Sequence, residues 1–163
     1  MADTQTRVPT HATTAEVKGR LLSDHSALEK LLAELGAVLE DNDSESELCD
    51  LWTRFEQNLR DHLDTEERCL FPLVAAAHRS EVEALRAEHR HIRCALGELG
   101  VAVDLHALRK ASVDELIGYL RQHALREDHS MYDWVDQDPV AHRGLRAMFE
   151  RRAAARLTAT SND

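Results

Sequence analysis

Apolar residues recur three and four positions apart along most of the chain, in four blocks that each predict one helix. Leu21, Leu28, Leu32, Leu35 and Leu39 mark the first, over roughly residues 14–40. Leu48, Trp52, Phe55 and Leu59 mark the second; Val82, Leu85, Ile92, Leu96, Leu99 and Val103 the third; Val113, Leu116, Leu120, Met131 and Trp134 the fourth. Each block opens with a Ser/Thr-x-x-Glu pattern, in which hydroxyl and carboxylate each satisfy a free amide: Thr13 with Glu16, Ser44 with Glu47, Ser80 with Glu83, Ser112 with Glu115. Asp41-Asn42-Asp43 separates the first two helices. Pro72 is expected to kink or end the second, because it has no amide hydrogen to donate. Asp138-Pro139 is an N-cap followed by a first-turn proline, starting a shorter Arg/Ala-rich helix to about Leu157. The expectation is an all-α chain: an antiparallel up-down four-helix bundle with a short fifth C-terminal helix. Its divisions are a flexible N-terminus (1–12), the bundle (13–136), the accessory helix (137–157) and a flexible tail (158–163).

The stripes are interrupted where a core helix would carry Leu or Val. The second continues with His62 and Glu66, the fourth with His123 and Glu127, and His25 and His89 fall on the first and third. The two His-x-x-x-Glu stretches align position for position, with Leu70 on Met131 and Phe71 on Tyr132. Asp24-His25 likewise resembles Glu88-His89, so the first helix pair is echoed by the second. A His and a Glu four apart share one helix face. An unpaired buried carboxylate is costly, so a cation should meet it. His25, His62, Glu66, His89, His123 and Glu127 are therefore the candidate ligands of a two-ion site. Imidazole with carboxylate suits iron, manganese or zinc. Six protein ligands across two ions leave positions open for an exogenous molecule.

Composition narrows the partners. Gly (6) and Pro (3) are scarce, as long helices require. A formal charge of −10 argues against a nucleic-acid groove or an anionic membrane surface. No apolar run approaches the ~18 residues of a membrane span, and Met1 to Thr14 lacks a signal-peptide core. Cys49, Cys69 and Cys94 have no CxxC spacing, which fits reduced thiols in a cytoplasmic protein.

Over residues 14–136 the chain resembles the hemerythrin-like (HHE cation-binding) domains. The matching residues are a lone His25, His62-x-x-x-Glu66-Glu67-x-x-Leu70-Phe71-Pro72, His89, and His123-x-x-x-Glu127-Asp128. The resemblance implies two non-haem iron ions, bridged by the carboxylates and an oxo or hydroxo group. Two positions depart from the oxygen carriers of that family. Arg93 stands where they have a further His, and their last ligand would fall on Asp128 rather than Glu127. The four-His, two-Glu set resembles the iron-centre repair and iron-sensing branches instead. The reading is a di-iron protein that binds or reacts with dioxygen, nitric oxide or peroxide, with Leu28, Phe55, Leu59, Ile92 and Leu120 limiting water access. The alternatives are a peroxide-consuming or ferroxidase-like enzyme, and an iron sensor or donor acting through a redox or regulatory protein partner. The remaining candidates read as ordinary: His91 and His129 on the surface, Glu29 on a solvated flank, Cys69 as core filler, Tyr119 as packing.

Overall fold

The computed structural model describes residues 14–41, 45–137 and 143. The expected N-terminal segment, most of the fifth helix and the tail lie outside the described residues. Four long helices carry the fold: α1 (Thr14–Asp41), α2 (Glu45–Thr65), α4 (Arg79–Asp104) and α5 (Lys110–His129). Two short ones, α3 (Phe71–Val74) and α6 (Met131–Gln137), extend α2 and α5. No strand occurs among the described residues. Helix α1 packs on α2 and α5, and α4 packs on the same two, so the long helices close into a ring. As α1 advances through His25, Glu29 and Glu40, its ionic partners on α5 run in the reverse order: Asp128 (3.5 Å), Arg121 (2.6 Å) and Lys110 (3.5 Å).

The apolar stripes build two clusters. The larger joins Leu28, Leu32 and Leu35 of α1 to Phe55, Leu59 and Leu63 of α2, Ile92 and Leu96 of α4, and Val113 and Leu116 of α5. The second joins Leu70, Phe71 and Val74 to Val82, Leu85, Met131, Tyr132 and Val135. The polar stripe residues lie between these clusters, with apolar layers on both sides.

Three local expectations are refined or corrected. At Pro72, where a kink or an end is expected, the helical path continues through an altered turn. The backbone widens into a π-helical turn over Glu66–Leu70, where the Phe71 amide donates to the Glu66 carbonyl, and Pro72 then sits in the first turn of α3. The proline ring would clash with the carbonyl four residues back, and the wider turn makes room for it. The fourth helix does not run unbroken to Trp134. Ser130 leaves helical geometry (φ −126°, ψ −83°), and its hydroxyl donates to the Arg126 carbonyl at 2.6 Å, a local bond that competes with the helix ladder.

Ser80 and Ser112 are not caps. His78 and Arg109 occupy the N-cap positions without a side-chain cap bond, and both serines lie inside the first turn. Ser80→Ala and Ser112→Ala should therefore each change unfolding free energy by under about 0.5 kcal/mol in urea titrations, against the ~1 kcal/mol of a lost cap.

Candidate metal centre

All six candidate residues converge between the clusters. His62, His89 and His123 are buried, Glu66 and Glu127 are fully enclosed, and His25 is partly buried. Their ligand atoms fall into two groups, each mutually within 4.8 Å: His25, His62, Glu66 and Glu127, and Glu66, His89, His123 and Glu127. Both carboxylates belong to both groups, with one oxygen turned to each side. Glu66 Oε1 lies 3.4 Å from His62 Nε2, and its Oε2 lies 3.5 Å from His89 Nε2. Glu127 Oε2 lies 3.4 Å from His25 Nε2, while its Oε1 is 3.2 Å from His123 Nε2 and 3.4 Å from His89 Nε2.

The donor atoms fit cations. Glu66 Oε2, Glu127 Oε2 and His123 Nε2 are buried with no hydrogen-bond partner. An unsatisfied buried carboxylate oxygen costs several kcal/mol on the order-of-magnitude scale for polar burial, unless a positive charge meets it. Without metal, protons fill that role. Burial lowers the affinity of His62 and His123 for a proton, but the carboxylates override it. Glu66 raises His62 to about 9, and Glu127 does the same for His123. Burial, then the neighbouring Glu127 charge, pushes Glu66 up to about 7. Glu127 is held well below the ordinary carboxylate range, because contacts with His123, His25 and His89 outweigh its burial.

Each inward imidazole has an acid behind its other nitrogen, and each acid comes from a neighbouring helix. Asp24 of α1 lies 4.0 Å from His62 Nδ1 on α2. Glu67, in the π turn after α2, lies 3.0 Å from His89 Nδ1 on α4. Glu88 of α4 lies 2.7 Å from His123 Nδ1 on α5. Asp128 of α5 lies 3.5 Å from His25 Nδ1 on α1. The four contacts close a ring, and every acid adjoins a ligand candidate of its own strip of chain. Such partners orient imidazoles and raise their basicity.

Asp128 thus stands outside both four-residue groups, and Glu127 stands in both. Arg93 binds Glu67 (2.6 Å) and Asp64 (2.9 Å), so where the oxygen carriers are expected to have a ligand, this chain has a clamp on an outer acid. Arg126 does the equivalent for Glu88, and is itself tied to Glu81 at 2.5 and 2.9 Å.

Besides the roles of the outer acids, the role of one buried residue escaped sequence reading. Tyr132 is almost fully buried, and its hydroxyl donates to Glu66 Oε1 (2.5 Å) and meets His25 Nε2 (3.2 Å). Its alignment with Phe71 was the available signal, because a hydroxyl in place of hydrogen at a buried position requires a partner. Tyr119, the tyrosine singled out from sequence, instead packs on His91 (4.6 Å). His91 and His129 are exposed, and Glu29 pairs with Arg121 on the surface. Cys69 packs beside the second apolar cluster, and all three cysteines are free.

A cavity of about 80 Å³ adjoins the centre. It reaches His25, His62 and His123, and its walls include Leu28, Leu32, Leu59, Ile117 and Leu120. Among the described residues, no helix is long and apolar enough to cross a membrane.

No curated protein and no solved structure matches the chain significantly. The family model of the hemerythrin HHE cation-binding domain matches residues 19–135, a span that holds all six inward candidate residues and all four acids behind them, and the chain belongs to that family.

Proposed function

We propose that the two groups hold two iron ions, and that the protein uses them to bind or react with dioxygen, nitric oxide or peroxide. The observation that carries this reading is the sharing of Glu66 and Glu127 between both groups, one oxygen to each side. When bound, an iron pair supplies one-electron redox couples and open positions for a small ligand. The chain does the rest. Glu66 and Glu127 fix the spacing of the two positions and offset their charge. His25 and His62 face one position, His89 and His123 the other. The cavity, walled largely by leucines with the exposed Glu29–Arg121 pair at its edge, gives molecules of diatomic size access to His25, His62 and His123. The antiparallel, up-down form of the bundle, supported by the reversed order of the α1–α5 pairs, brings the four histidines to one level. We take residues 13–136 as the functional domain and the cytoplasm as its setting.

Tyr132 favours peroxide reaction as the second reading, because its hydroxyl keeps a proton at Glu66 Oε1, inside the site. Metal analysis by plasma mass spectrometry, on tag-free protein expressed with iron, should give two irons per chain. Zinc alone, or a single ion, would sink the iron-pair reading. Anaerobic ferrous protein should then form a stable adduct absorption with nitric oxide. Rapid oxygen evolution from hydrogen peroxide would instead select the enzymatic reading.

A further inference from the structure

The four outer acids differ in a way that divides the centre. Behind His89 and His123 stand glutamates, Glu67 and Glu88; behind His25 and His62 stand aspartates, Asp128 and Asp24. The glutamates approach to 3.0 and 2.7 Å, while the shorter aspartates stop at 3.5 and 4.0 Å. Arg93 holds Glu67, and Arg126 holds Glu88. Among the residues whose side chains are described, no arginine contacts Asp128. His25 Nδ1 and Asp128 Oδ1, although neighbours, are both buried without a hydrogen bond. His89 is fully enclosed, whereas His25 is partly exposed beside the cavity.

We infer that the two metal positions are unequal. The His89/His123 position is preorganised by arginine-clamped glutamates and fills first and tightly. The His25/His62 position is loosely backed, fills second and exchanges its ion more readily. Glu67, Glu88, Arg93 and Arg126 are positioning residues, because they act through the imidazoles rather than on the ion. Two effects give the preference its direction. An imidazole already oriented by an acid loses less freedom on binding, and the acid raises its basicity toward the ion.

This inference rests on the two-ion reading above, and the test separates the two. The metal-stripped full chain is titrated anaerobically with ferrous ion, and in parallel with cobalt(II), by isothermal titration calorimetry. Two resolved steps are expected. Glu67→Gln and Glu88→Gln should each weaken the first step by about 10–100-fold. Asp24→Asn and Asp128→Asn should leave the first step within about threefold and act on the second, since their imidazoles belong to the looser position. Helical circular dichroism of each variant confirms that the bundle is intact. Should a glutamate variant fail to fold, Arg93→Lys and Arg126→Lys keep the charge but lose the planar clamp, and should weaken the first step in the same direction. Two ions bound in one step of equal affinity would overturn the inequality and leave the two-ion reading standing. So would aspartate variants that weaken the first step as much as the glutamate ones. No binding at all would overturn both.

Discussion

Glu127→Gln is expected to empty both metal positions, whereas Asp128→Asn leaves both filled in metal-saturated buffer. Glu127 sends one oxygen to each group, so loss of its charge weakens both groups at once. Asp128 reaches the centre only through the far nitrogen of His25. Metal content should fall from two ions per chain to under about half an ion in Glu127→Gln, because a neutral amide oxygen is a poor replacement for a bridging carboxylate. Glu66→Gln should behave the same way. Plasma mass spectrometry gives the content, and circular dichroism distinguishes a lost ligand from a lost fold. Full metal retention in Glu127→Gln, with loss in Asp128→Asn, would reverse the assignment of the last carboxylate.

The metal-free protein should lose stability as pH rises from about 6.5 to 9, and the metal-loaded protein should not. His62 and His123 have folded values near 9 against an ordinary 6.5. A group whose folded value is raised stabilises the fold fully below its unfolded value, and that contribution fades as pH climbs through the folded one. Glu66, pushed up to about 7, adds in the same direction, since its proton is also retained better in the folded state. Glu127, held low, contributes a constant amount across this window. The melting temperature in chelator should therefore drop by roughly 5–10 °C between the two pH values, the scale expected for a few kcal/mol in a chain of this size. Bound ions take the place of the protons, and the loaded curve should stay nearly flat. A chelated protein that melts at the same temperature throughout would show that the imidazoles do not neutralise the buried carboxylates.

The inner site was legible in sequence because burial imposes a period. His62, Glu66, His123 and Glu127 fall where Leu or Val belongs, and the fault in the stripe is visible without coordinates. The outer acids were not legible as such. Glu67, Glu88, Asp24 and Asp128 lie one residue off the stripe, where a charge looks merely solvated, and their roles depend on which helix turns toward which. The same limit hid Tyr132, whose hydroxyl finds its partners 66 and 107 residues away. The ends of helices failed for another reason. Ser80 and Ser112 carry the residue pattern of a capping box, but the helices already begin after His78 and Arg109, so the amides these hydroxyls would have capped bond backbone carbonyls instead. Pro72 was correctly read as a disturbance, while the form it took, a widened turn just before it, depends on backbone packing that sequence does not encode locally.

The ring of outer contacts maps onto itself under a half-turn. Helix α1 hands an acid to α2 as α4 does to α5, and the segment after α2 hands one to α4 as α5 does to α1. Only two helices' worth of residues, used twice, is therefore needed to write the whole centre. A self-pairing peptide built on α1, α2 and the π turn would, as a symmetric dimer, present four histidines, two shared glutamates and four backing acids. The single chain gains something that such a dimer cannot have, which is the freedom to make its halves differ. Aspartates now stand in one pair of backing places and glutamates in the other, a difference that only covalent linkage of the halves permits.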